Sequence, residues 1–96
     1  MDGQIKEYIP QSEILAQLAE EAAELAQAAL KLRRTMDGRN PTPVGFSEAY
    51  NNLIEEYSDV TLCIRELDMN YSPSIIEHKL KRWVKRLKGA RHEKVN

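Results

Sequence analysis

No disulfide can close within this chain, because Cys63 is its only cysteine. No run of residues escapes charge for the roughly 20 apolar positions that a bilayer crossing needs, since Glu and Lys interrupt every candidate. The opening stretch MDGQIKEYIP lacks both the basic start and the apolar core of a secretion signal, so a cytoplasmic location and no membrane partner are expected. Glycine and proline are scarce, at four each, and no segment alternates apolar with polar residues. This excludes an all-β fold and leaves a helical one. A phosphate-cradling glycine loop is absent, as is any Ser-His-Asp or Cys-His grouping, which removes P-loop hydrolases and the usual covalent nucleophiles.

Charge of one sign is also lacking overall, but only because two unlike halves cancel to −1. Residues 1–70 carry 13 acids against 6 bases, and residues 71–96 carry 2 acids against 8 bases. A basic tail of this kind suits nucleic acid, a phosphate-bearing small molecule, or a solvated helix face that neutralises an acidic neighbour. The 96 residues are enough for one domain, 1–96, with a core that buries roughly 60% of the chain's surface. Packing against a second copy would add to that core, so self-association is expected.

What is present is helical periodicity. Leu15, Leu18, Ala22, Leu25, Ala29, Leu32 and Met36 recur at spacings of three and four and predict a helix over about 12–35, capped by Ser12 and stopped by Asp37-Gly38. Residues 37–46, DGRNPTPVGF, hold two Gly and two Pro and read as a loop. Ser47 then caps a second helix with Tyr50, Leu53, Tyr57, Val60, Ile64 and Leu67 as its seam, ending near 68–70. Ser72-Pro73 opens a third helix, with Ile75, Ile76, Leu80, Trp83, Val84 and Leu87 apolar and Gly89 as its end. Residues 1–11 form an N-terminal arm, helical or extended, and 90–96 a frayed tail. The expected architecture is all-α: a long antiparallel helical hairpin plus a third, basic helix.

Acids crowd the hairpin in two matched pairs. Measured from the seams, Glu21 and Glu24 project about 75° and 135° to one side of the first helix, and Glu56 and Asp59 project about 80° and 140° in the same sense on the second. Antiparallel packing brings equal rotations onto one shared flank. The pairs also balance about the loop, so they stand level along the hairpin, and four carboxylates are predicted to converge. Such a group needs cations, and an all-oxygen ligand set selects hard ions, Mg²⁺ or Mn²⁺. Ala28, next along the flank, leaves room for a ligand. Glu20 and Glu55 point outward, and Lys31 projects away from the seam. No ExxH follows either pair, which argues against a di-iron bundle.

Glu21-x-x-Glu24 and Glu56-x-x-Asp59, in the settings EEAAELAQAALK and NLIEEYSDV, resemble the ExxE…ExxD signature of the MazG-like, all-α nucleoside triphosphate pyrophosphohydrolases. The resemblance spans about residues 12–88. It implies that the four acids bind Mg²⁺ and that a nucleoside triphosphate is cleaved between its α and β phosphates to a monophosphate and pyrophosphate. It also implies that two or more chains, as dimer or tetramer, assemble a four-helix-type bundle. The stretch between the two motifs is longer here than in many members of that family.

In such chemistry an acid not fully used as a metal ligand takes a proton from the attacking water, and Glu21 and Glu24 are both candidates. Lys79, Arg82 and Arg86 share one face of the third helix and are the candidate phosphate-binding residues. That face is equally readable as a solvated surface or as an arm paired with a partner subunit. A nucleobase wants an aromatic wall, for which Phe46, Tyr50, Tyr57 and Trp83 are available, although Tyr50, Tyr57 and Trp83 read better as core. The alternative function is a non-enzymatic helical oligomer that grips nucleic acid through the basic helix, with a degenerate, nucleotide-sensing relative of the enzymes as a further rival.

Overall fold

In the computed structural model of this chain, residues 4–38 and 44–95 are described, with side chains through residue 91. The middle of the expected Gly/Pro loop, 39–43, lies outside them. A short 3₁₀ turn, Ile5–Glu7, precedes three α-helices: α1 (Gln11–Asp37), α2 (Phe46–Glu66) and α3 (Pro73–Val95). No strand occurs among the described residues.

Local chemistry sets most of the helix ends. Pro10 is extended and its carbonyl accepts the N–H groups of Glu13 and Ile14, so α1 begins one residue ahead of Ser12 and without a side-chain cap. It stops at Gly38, whose φ of 67° is a left-handed conformation that glycine adopts without a Cβ penalty, and whose N–H reaches the Arg34 carbonyl. Gly45, not Ser47, flanks the start of α2. That helix ends at Glu66, slightly earlier than the periodicity suggests, and the chain turns through Asp68 at φ 55°. Ser72 caps α3 as expected, its Oγ accepting the Ile75 N–H at 3.3 Å. Gly89 does not end α3, and the tail expected to fray continues as helix to Val95. An internal glycine weakens a helix by only about 1 kcal/mol, and the surrounding Lys85, Arg86, Lys88, Ala90 and Arg91 are all good helix formers.

α1 packs along α2 and α3 packs substantially on neither. The hairpin is antiparallel: Ile14 near the start of α1 clusters with Cys63 and Leu67 at the far end of α2, joined by Leu18. Further along, Ala28, Leu32 and Ala49 are the buried residues of the loop-proximal half among those described. The 3₁₀ turn closes the open end, where the Lys6 N–H donates to the buried Glu66 carboxylate at 3.2 Å and the Lys6 ammonium pairs with Asp68 at 3.1 Å. The N-terminal arm is thus helical over one turn and tied to the end of α2.

Both interior stripes differ from the expected seams, and by the same rotation. On α1 the inward positions are Ile14, Leu18, Glu21, Leu25, Ala28 and Leu32, while Leu15 and Met36 are exposed, Met36 at 65%. On α2 they are Ala49, Leu53, Glu56, Val60, Cys63 and Leu67, while Tyr50 and Tyr57 are 47% and 58% exposed. Each stripe is turned by about 50° towards its acids. Each helix carries an apolar sector wider than one neighbour can cover. The contact falls on the side with the small residues Ala28 and Ala49, which let the backbones approach.

Every described residue of α3 from Pro73 to Arg91 is exposed, Trp83 at 62%. The Cα radius of gyration is 18.1 Å, against about 12–13 Å for a compact chain of this length. The expected contribution of Trp83, Tyr50 and Tyr57 to a core within one chain is therefore corrected. No helix among the described residues is long and apolar enough to cross a membrane.

The rotated stripe is directly testable. Ile14, 2% exposed, is expected to lose about 2–5 kcal/mol of unfolding free energy on Ile14→Ala, and Met36→Ala less than about 1 kcal/mol, read from urea titrations. Equal losses would restore the seam that periodicity alone suggests.

Candidate functional site

The 50° turn carries the acids from the flank into the helix–helix interface. Glu21 occupies an inward position between Leu18 and Leu25, and Glu56 one between Leu53 and Val60; both are half-buried. Glu24 is exposed at the edge, one turn further along α1. Carboxylate oxygens of Glu21, Glu24 and Glu56 all lie within 4.8 Å of one another. Asp59 is half-buried one turn beyond Glu56, near enough for its charge to act on both Glu56 and Cys63, but outside this triad. Three of the four expected acids therefore meet directly. The fourth stands beside them, displaced by a helical turn and shorter by one methylene.

The electrostatics of the group are unfavourable. The Oε2 atoms of Glu21 and Glu56 are shut off from solvent and have no hydrogen-bond partner. The other oxygen of Glu21 accepts from the Gln17 side-chain amide at 2.7 Å. The Glu56 carboxyl is pushed above a glutamate's usual value near 4.5, first by burial, then by a hydrogen bond with Glu24 that needs a proton between them, then by the negative charges of Glu24, Asp59 and Glu21. Burial and the charges of Glu21 and Asp59 likewise push the Cys63 thiol up, which keeps it in the inert thiol form.

The donor set suits a hard cation. It is all oxygen, and two of its oxygens lack any partner. At Mg²⁺–oxygen bonds of about 2 Å, ligands on opposite sides stand about 4 Å apart, so a group drawn within 4.8 Å is on the scale of one ion's coordination shell.

A cavity of about 300 Å³ adjoins the triad on the loop side, lined by Glu24, Gln27, Ala28, Lys31, Ala49, Asn52 and Glu56. Ala28 borders it, as its small size suggested. Sequence reasoning missed Gln27 and Asn52 and turned Lys31 the wrong way. The signal was there in the spacing, since Lys31 is seven residues after Glu24 and Asn52 four before Glu56, each on the same helix face as its acid. Glu20 and Glu55 are exposed as expected. Lys79, Arg82 and Arg86 are exposed on α3 and do not line the cavity, because α3 does not fold back over the hairpin. Phe46 stacks on Tyr50 with ring centroids 6.2 Å apart, outside the cavity lining.

The chain matches no family model, no curated protein and no solved structure.

Neutralising the central acid should strengthen the metal-free fold. Below about pH 4.5 Glu56 is protonated whether folded or not, so no penalty exists there; as pH rises the unfolded chain ionises first and the folded state falls behind. Glu56→Gln is therefore expected to raise the thermal midpoint at pH 7 in EDTA and to lose that advantage near pH 4. A lower midpoint for the variant at pH 7 would contradict the repulsion.

Proposed function

We propose that this protein is a Mg²⁺-dependent nucleoside triphosphate pyrophosphohydrolase of the MazG-like kind, cleaving the α–β phosphoanhydride of (d)NTPs in the cytoplasm and acting on non-standard or surplus nucleotides. The observation that carries the reading is the meeting of Glu21, Glu24 and Glu56 within 4.8 Å, two of them with orphaned buried oxygens, beside a cavity. The double motif that resembles the pyrophosphohydrolases supports it.

Glu21, Glu24, Glu56 and Asp59 are the residues that would hold Mg²⁺, or Mn²⁺ in its place. When bound, the ion supplies charge neutralisation for the phosphates and a water acidic enough to ionise near neutral pH. The protein's own part is to hold oxygens in a fixed array and to accept a proton. Gln17 fixes the orientation of the Glu21 carboxyl by donating to Oε1. Glu24, exposed at the rim, can both accept a proton and pass it to solvent, which favours it over Glu21 as the base.

In this reading the molecule works as a homo-oligomer, dimer or tetramer, with a four-helix-type bundle. Support comes from the uncovered apolar row Ile76, Leu80, Trp83 and Leu87 on α3 and from Tyr50 and Tyr57 outside the hairpin. Lys79, Arg82 and Arg86 then meet phosphate only where assembly brings α3 to a hairpin. The same exposed bases favour the rival reading, nucleic-acid binding without catalysis, which predicts salt-sensitive binding indifferent to Mg²⁺.

Folded protein incubated with each NTP and dNTP plus Mg²⁺ is expected to release pyrophosphate, and Glu56→Ala to lower turnover about 100-fold or more with helicity intact, beyond the 10–100-fold typical of a residue behind the ligands. No release from any nucleotide would defeat the proposal. Sedimentation should give a dimer or larger species that Trp83→Asp shifts towards monomer; a monomeric wild type would remove the bundle.

A further inference from the structure

The two sides of the acid triad are built differently. Towards the open end of the hairpin, Ile14, Leu18, Cys63 and Leu67 fill the space between α1 and α2. Towards the loop, Ala28 and Ala49 stand where larger side chains would close the gap, and the 300 Å³ cavity opens. A ligand held at the carboxylates therefore has its free space on the loop side.

The cavity runs from negative to positive. Glu24 and Glu56 border one end, and Lys31, Gln27 and Asn52 complete the lining. Lys31 stands about 10 Å along α1 from Glu24, and Asn52 about 6 Å along α2 from Glu56, at 1.5 Å per residue. Both steps run towards the loop, so the lysine and the amide converge beyond the acids. Lys31 is exposed and makes no ion pair among the described residues. Its ammonium is a compact charge with three donors, and Gln27 and Asn52 add neutral amide donors. A site with cation-holding acids at one end and a free ammonium at the other is complementary to a chain of phosphates.

We infer that Lys31, with Gln27 and Asn52, receives the terminal phosphate of a nucleoside triphosphate whose inner phosphates lie at the Glu21–Glu24–Glu56 triad, so that Lys31 selects for phosphate-chain length. The inference rests on the proposed nucleotide site and adds the residue that separates tri- from diphosphates. A diphosphate held at the acids ends short of Lys31.

Calorimetric titration of the full chain in Mg²⁺ with α,β-methylene-ATP and α,β-methylene-ADP tests it, using wild type, Lys31→Met and Lys31→Arg, with circular dichroism to confirm helicity. Lys31→Met is expected to weaken the triphosphate analogue about tenfold or more, the scale of one charge-assisted hydrogen bond, and to leave the diphosphate analogue within about twofold. Lys31→Arg should retain most of the wild-type preference. Equal weakening of both analogues, no weakening, or no binding of either by wild type overturns the inference. Pyrophosphate release by wild type is measured alongside. Release with no tri-versus-diphosphate difference in Lys31→Met sinks the role of Lys31 and leaves the enzyme standing; the difference without release sinks the enzyme and keeps the subsite.

Discussion

Glu21 on α1 and Glu56 on α2 face each other inside a helix–helix contact, each with an oxygen cut off from water and from any donor, and carboxylates so placed require a proton or a cation. Burial, a hydrogen bond with Glu24 and the negative charges of Glu24, Asp59 and Glu21 accordingly raise the proton affinity of Glu56. Ordinary packing would not choose such a stripe. Turning each helix back by about 50° would place Leu15, Met36, Tyr50 and Tyr57 inside and all four acids outside. The fold instead buries small residues around the acids and leaves bulky apolar side chains uncovered.

That choice has consequences at both ends of the hairpin. Ala28 and Ala49 allow close approach without filling the space beside Glu24 and Glu56, so the acids border a cavity rather than a plug. At the other end Ile14, Leu18, Cys63 and Leu67 form an apolar cluster, and the Lys6 contacts with Glu66 and Asp68 fasten the N-terminal turn to the end of α2. The apolar cluster and the acids with their cavity are thus separated along a single pair of helices. The apolar residues not used by either, such as Ile76, Leu80, Trp83 and Leu87 on α3 and Leu15, Met36, Tyr50 and Tyr57 on the outer faces of α1 and α2, stand exposed.

Which parts could be read in advance depends on whether neighbours in sequence or neighbours in space decide them. Helix type and number follow from local spacing, and Gly38 and Ser72 mark ends because a left-handed turn and an N-terminal donor are satisfied within a few residues. Ser12 and Ser47 misled because Pro10 and Gly45 already provide the extended residue that starts each helix. Gly89 misled because a helix can absorb one glycine. The pairing of Glu21 and Glu24 with Glu56 was legible because equal offsets on antiparallel helices must meet, whatever the absolute rotation.

The sequence by itself determined that the chain is helical, that two long helices carry matched acid pairs, and that basic charge gathers at its end. These are properties of single helices and of periodicities within them. Only the tertiary structure decided that the acids lie within the contact, that Asp59 stands one turn outside the triad, that Lys31 faces the cavity, and that α3 remains apart. The physical reason is that an amphipathic pattern defines a sector some 100° wide or more, and which line within that sector touches its neighbour depends on the sizes of residues on both helices at once.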